Sequence, residues 1–213
     1  VTDDVQSRTA ANRTSLADLC AGLTDAELDT PSLCAGWRCR DVLGHLAMAL
    51  ELSFPRFLLE VVRDRGRASR TSFRVARAFG DRPTAELVSI LREHSGDVVS
   101  PPGIGPLGPF TDSCIHLRDI ALPLDMPSTP PYDDWVRALD FLVTPRAVRA
   151  GFVARGRLAG LHLVADDGWS WGAGADVTGP AEALALAVSG RPVALADLAG
   201  DGVPVLRDRL VRG

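Results

Sequence analysis

Two histidines and one aspartate have the residue types and the spacing of a metal site. Asp112 and His116 are four residues apart in a helical pattern, so their side chains share one helix face. Ile115 and Ile120 flank that face, which predicts that it points inward. An inward carboxylate needs a cationic partner, because burying a bare charge costs on the order of several kcal/mol. His45, at the edge of a second predicted helix's apolar stripe, would complete a set of two histidines and one carboxylate.

This ligand set suits Zn²⁺ and leaves a fourth coordination position open for water or substrate. It suits Fe²⁺ or Ni²⁺ as well, so the residues alone leave the metal open. Asp41 and Asp119 are candidates to orient the ligand imidazoles, and Asp119 is also the alternative to Asp112 as the acidic ligand.

Spacing alone also permits a plain helix face. In that interpretation His116 pairs with Asp112 or with Arg118, and His45 is an ordinary core or surface histidine. For Trp37 and Cys34 we expect packing, with lining of the site as the alternative.

The elements that must position these residues form a helical N-terminal part. Helices are predicted over residues 6–23, 38–65, 83–99, 109–122 and 134–150. Pro55 predicts a kink or break near Phe54. The Arg-rich segment 63–82 is predicted to be a loop or frayed helix with a solvated surface.

The C-terminal part has a different pattern. Leucines alternate around His162, a turn signal follows at residues 166–168, and Trp169 and Trp171 alternate with small residues, which predicts a β-hairpin or small sheet. The two tryptophans would pack on the sheet or serve as a ligand platform. Short helices are expected over residues 179–190 and at the C-terminus. The predicted fold is therefore α+β and mainly α, with a helical bundle at residues 1–128 and a small α+β domain at 129–213.

Composition excludes several classes of protein. Hydrophobic residues make up 46% and charged residues 23%, as in an ordinary globular domain. A net charge of −4 argues against a nucleic-acid partner. The chain has no apolar run of about 18 residues, so no membrane partner is expected. The acidic start at Val1 does not resemble a signal peptide, and we expect a cytoplasmic protein whose four cysteines are reduced.

Three stretches resemble one known family. Residues 31–37 read Pro-Ser-Leu-Cys-Ala-Gly-Trp, and an Arg-Asp-Val helix start at 40–42 and His45-Leu46 follow. This run resembles the signature of the mycothiol-dependent maleylpyruvate isomerase family. The stretch from Asp112 to Asp119 resembles that family's second motif, and the tail from Gly168 onward resembles it too. The resemblance covers nearly the whole chain.

The resemblance implies a DinB-like four-helix bundle that binds a divalent metal, usually zinc. The family's His, acidic and His ligands match His45, Asp112 and His116. The characterised enzymes have Glu at the acidic position and Gly after the second histidine, where this chain has Asp112 and Leu117. The Arg pair that often follows is Ala121-Leu122 here.

The function that the resemblance implies is a metal-dependent enzyme. It would use a low-molecular-weight thiol such as mycothiol for isomerisation or S-transfer on a small electrophilic substrate. The departures at Asp112 and Leu117 keep open a non-enzymatic metal- or small-ligand-binding bundle. A bundle without metal is a third interpretation. The oligomeric state is open, with a homodimer as one candidate.

Overall fold

Helices dominate the fold, and a small sheet lies near the C-terminus, so the predicted mainly α, α+β fold class is confirmed. The computed structural model describes residues 2–212. Val1, the first residue of the acidic start, and Gly213 lie outside the described residues. Among residues 2–212, no helix is both long enough and apolar enough to cross a membrane.

The chain divides into two compact units. Of the described residues, the first unit holds 2–101 and 116–129, and the second holds 102–115 and 130–212. The division passes through one uninterrupted helix, α7 (Leu107–Ala121), which both units share. The predicted domain boundary after residue 128 stays a prediction.

The first unit is helical throughout. Besides its part of α7 it contains α1 (Thr2–Ala21), α2 (Asp25–Leu28), α3 (Cys39–Glu51), α4 (Phe54–Arg63), α5 (Ala68–Gly80), α6 (Thr84–Glu93) and a 3-10 turn (Leu122–Leu124). Thr24 and Glu27 form a capping box at α2. The expected break near Phe54 is confirmed, because α3 ends at Glu51 and Pro55 lies in the first turn of α4.

The core of this unit draws on four helices: α1, α3, α6 and α7. It contains Leu16, Ala17, Cys20, Cys39, Val42, Leu43, Leu46, Ala47, Leu87, Val88, Leu91, Leu117 and Ile120. Leu117 is 1% exposed within this core.

Helix α5 corrects one prediction. Segment 63–82 was expected to be a loop or frayed helix, but thirteen of its residues form a regular helix. Its buried face consists of Thr71, Val75, Ala76 and Gly80, an amphipathic pattern that the many arginines of the segment obscured in the sequence. Gly80 allows α5 to approach α3 so closely that a Cβ on Gly44 would lie 2.4 Å from the Gly80 nitrogen.

The second unit combines short helices with the sheet. Its elements are α8 (Tyr132–Leu142), α9 (Pro145–Ala150), β1 (Leu161–Ala165), β2 (Ser170–Gly172), β3 (Ala175–Gly179), α10 (Ala181–Val188), a 3-10 helix (Pro192–Asp197) and α11 (Val203–Arg212). The single helix predicted over 134–150 is in fact α8 and α9, because Thr144 caps a new helix that begins at Pro145.

The sheet has the strand order β2-β1-β3. Strand β1 pairs antiparallel with β2, which confirms the predicted hairpin. It also pairs parallel with β3, a strand that the sequence did not predict. On β1 the alternate residues Leu161, Leu163 and Ala165 are buried.

Candidate metal centre

Helix α3 carries His45, and hydrogen bonds fix the N-terminus of this helix. The loop before it is closed by the pairing of Pro31 with Arg38. Arg38 then donates three hydrogen bonds to Asp41, from its backbone N–H, Nε and a terminal nitrogen, at 2.7 to 3.1 Å. Burial would raise the pKa of Asp41, but these hydrogen bonds outweigh burial and lower it. Both carboxylate oxygens of Asp41, a predicted imidazole-orienting group, thus accept hydrogen bonds from Arg38.

Helix α7 carries the other predicted residues. The Nδ1 of His116 lies 2.8 Å from Oδ2 of Asp119, three residues further along the helix. Both side chains are buried, at 8% exposure for His116 and 0% for Asp119. Because the carboxylate accepts a hydrogen bond at Nδ1, it favours the tautomer whose Nε2 is free of hydrogen. Asp119 therefore lies where a group that orients the imidazole would have to lie.

Ser72 lies beside Nδ1 of His45, as Asp119 lies beside Nδ1 of His116. Its hydroxyl oxygen lies 3.4 Å from Nδ1 of His45, at the long end of the hydrogen-bond range. Ser72 reaches this position from α5 because Gly44 and Gly80 let the two backbones approach closely. The sequence did not indicate Ser72, since its helix was not predicted.

His45, Asp112 and His116 come together as the sequence predicted. One ligand atom from each of the three lies within 4.8 Å of the others. Asp112 and His116 are held together by α7 itself, four residues apart on one face. His45 and Asp112 are partly exposed, and His116 is buried.

The three side chains fit a divalent metal. Ligand atoms at bond lengths of about 2.0–2.2 Å in a tetrahedral site are roughly 3.4 Å apart. A separation of up to 4.8 Å requires each donor atom to shift by less than about 1 Å, which side-chain rotation supplies. Nδ1 of each histidine faces a hydroxyl or a carboxylate, so Nε2 is the nitrogen that would bind a metal.

Aromatic rings surround the histidine pair. The rings of His45 and His116 are 5.1 Å apart between centroids. Trp37 lies edge-on to His45 at 5.2 Å and nearly parallel to His116 at 6.3 Å, and Phe73 from α5 contacts Trp37. Of the two interpretations of Trp37, lining of the site agrees with these contacts.

The other two histidines lie away from this cluster of ligand atoms. His94 at the end of α6 pairs with Asp97 at 2.8 Å, and His162 on β1 pairs with Asp176 of β3 at 2.8 Å. Neither belongs to the group of three that can bind a metal within the described residues.

This fold and site define a class of protein, a helical chain with a candidate metal centre of two histidines and one carboxylate. Residues 9–98 match the family model described as the mycothiol maleylpyruvate isomerase N-terminal domain. This match supports the resemblance seen in the sequence. The match includes Trp37 and His45 and ends before Asp112.

The fold also resembles solved structures. A crystal structure of the mycothiol-dependent maleylpyruvate isomerase aligns with a TM-score of 0.50 and 15% identity, over 94% of this chain and 93% of that chain. A structure of a histidine-to-alanine mutant of that isomerase aligns over the same shares, with a TM-score of 0.49 and 15% identity. At this identity the first likeness shows a shared fold. No curated protein matches the chain in sequence.

Proposed function

We propose that this protein is a metal-dependent enzyme that uses a mycothiol-like thiol for isomerisation of, or S-transfer to, a small electrophilic substrate. The observation that carries the proposal is the cluster of His45, Asp112 and His116, whose ligand atoms lie within 4.8 Å of one another. The proposal of a thiol cofactor rests on the family match of residues 9–98, and the proposed class of substrate rests on the isomerase of similar fold.

The charge of the ligand set suits a thiol cofactor. Two neutral imidazoles and one carboxylate offset only one of the two positive charges of a divalent ion. A bound divalent ion would hold a thiol as its thiolate at neutral pH, well below the free thiol pKa of about 8.5. A second carboxylate ligand would cancel the remaining charge, so Asp119 serves better bonded to His116 than on the metal.

The chain's own residues orient the two imidazoles and limit the access of water to the site. Asp119 and Ser72 hold the two imidazoles by Nδ1, which fixes where Nε2 points. The ring of Trp37 lies beside both imidazoles, where it would keep water away from that side of the site. The partial exposure of His45 and Asp112 leaves the other side open to small molecules.

A turnover assay tests the proposal. The metal-loaded full chain is incubated with mycothiol and maleylpyruvate, and separately with mycothiol and a model electrophile. We expect thiol-dependent turnover in at least one of these reactions. The variant His45→Ala should lose turnover, whereas His94→Ala, which changes a histidine outside the cluster, should retain it.

Absence of thiol-dependent turnover in metal-loaded protein would contradict the proposal. Retained turnover in His45→Ala would contradict the assigned site. The alternative of a non-enzymatic binding module is not favoured. Zinc as the metal, a cytoplasmic location and a homodimer remain predictions.

A further inference from the structure

The second unit contains a cavity of about 480 Å³. Its wall is formed by the end of α8, by α9, by the segment that precedes β1 and by β2. Val148, Leu161 and Trp171 give it an apolar surface. This volume lies in the range of about 300–1,000 Å³ that small-molecule sites occupy.

Three arginines are the only charged residues that line this cavity within the described chain. They are Arg149, Arg155 and Arg157, and no aspartate or glutamate joins them. Arg149 and Arg155 are exposed, and neither makes a salt bridge to a described residue. The lining therefore carries positive charge with no carboxylate to offset it.

Arg157 differs from the other two arginines because it is buried. Its exposure is 8%, and its Nε is buried without a hydrogen-bond partner. Burial lowers the pKa of Arg157, with the charge of Arg191 as the second cause. A buried guanidinium without a counterion is costly, so an anion would offset that cost.

Helix capping explains only part of this arrangement. One terminal nitrogen of Arg157 donates to the backbone oxygen of Val188 at 3.1 Å, at the end of α10, where a cation is favourable. That bond accounts for neither the buried Nε nor the presence of Arg149 and Arg155 on the same wall.

We propose that this cavity binds a small organic anion with an apolar body. The arginines would bind its carboxylate or phosphate group, since the guanidinium fork matches both. The apolar body would pack against Val148 and Trp171. Trp171 would then serve as the ligand platform that the sequence left as an alternative. This site is independent of the proposed metal chemistry.

Calorimetric titration of the full chain tests the proposal with three probes that share one ring system. Naphthoate carries a carboxylate, naphthyl phosphate carries a phosphate, and naphthalenemethanol is neutral. We expect at least one anion to bind at a single site about tenfold more tightly than the alcohol. The preferred anion identifies the head group.

Exposed arginines provide variants that should fold normally. The double variant Arg149→Gln, Arg155→Gln should weaken binding of the anion about tenfold. The matched control is Arg146→Gln, which alters an exposed arginine of the same helix that does not line the cavity. It should bind like the parent. Arg157 is left intact, because its removal would leave the oxygen of Val188 without this donor.

Three results would overturn the proposal: no saturable binding of either anion, equal binding of the neutral alcohol, or equal weakening by Arg146→Gln and the double variant. Titrations on metal-free protein keep the test separate from the proposed function. Anion binding there stands whether or not thiol-dependent turnover is found.

Discussion

Replacing Asp119 by Asn should weaken metal binding although Asp119 is not proposed as a ligand. Its Oδ2 lies 2.8 Å from Nδ1 of His116, and the side chain is fully buried. The amide keeps the shape but removes the negative charge that polarises the imidazole and fixes its tautomer. Loss of such a partner costs about 10–100-fold in metal affinity, or roughly 1.4–2.7 kcal/mol.

Ser72→Ala should weaken metal binding less than Asp119→Asn does. The hydroxyl is 3.4 Å from Nδ1 of His45, and a neutral hydrogen bond of that length is weak. We expect a loss of about threefold or less. The structure thus predicts an order of effects in addition to their direction.

The assay is a competition titration of zinc against a chromogenic chelator, on protein stripped of metal and shown to be folded by circular dichroism. Asp97→Asn is the matched control, because Asp97 pairs with His94 at the same 2.8 Å and the same three-residue spacing but is 59% exposed. Equal losses in Asp119→Asn and Asp97→Asn would refute the reasoning, as would a larger loss in Ser72→Ala than in Asp119→Asn.

Three further predictions follow from single contacts. Asp112→Glu should retain the metal, whereas Asp112→Asn should lose more than about tenfold in affinity by the same titration; unchanged affinity in the second variant would remove Asp112 from the ligand set. Gly44→Ala should lower the free energy of unfolding by about 1–3 kcal/mol in urea, because its Cβ would meet the α5 backbone at 2.4 Å; Gly96→Ala, with open space around it, is the control and should differ by less than about 0.5 kcal/mol. Burial raises the pKa of Cys20 to about 12 and that of Cys39 to about 11, so the stability that these protonated thiols contribute is complete below about pH 8.5 and is lost as pH rises towards 11–12. Cys20→Ala should therefore reduce the fall of the urea unfolding midpoint between pH 7 and 10. An unchanged dependence of the midpoint on pH would contradict this reasoning.

Helical spacing was enough to predict which metal-site residues share a face. Asp112 and His116 are four positions apart and so share one face of any regular helix, which means that their proximity needed no tertiary information. The helix break near Phe54 likewise follows from the local chemistry of Pro55.

Contacts that depend on tertiary packing were not predictable in this way. Helix α5 is stabilised by its close approach to α3 through Gly44 and Gly80, which hydrophobic periodicity does not reveal. Ser72 was missed with that helix. Strand β3 was missed because its pairing with β1 is parallel and because three of its five residues, Ala, Asp and Gly, are uncommon in strands.

The metal content of the protein tests the central claim most directly. The untagged full chain, grown in zinc-replete medium, is analysed by mass spectrometry for metals alongside His45→Ala, His116→Ala and the control His162→Ala. We expect about one divalent ion per chain in the parent and the control, and almost none in the two cluster variants. Near-zero metal in the parent, or equal metal in all four proteins, would contradict the assignment of His45, Asp112 and His116 as a metal centre.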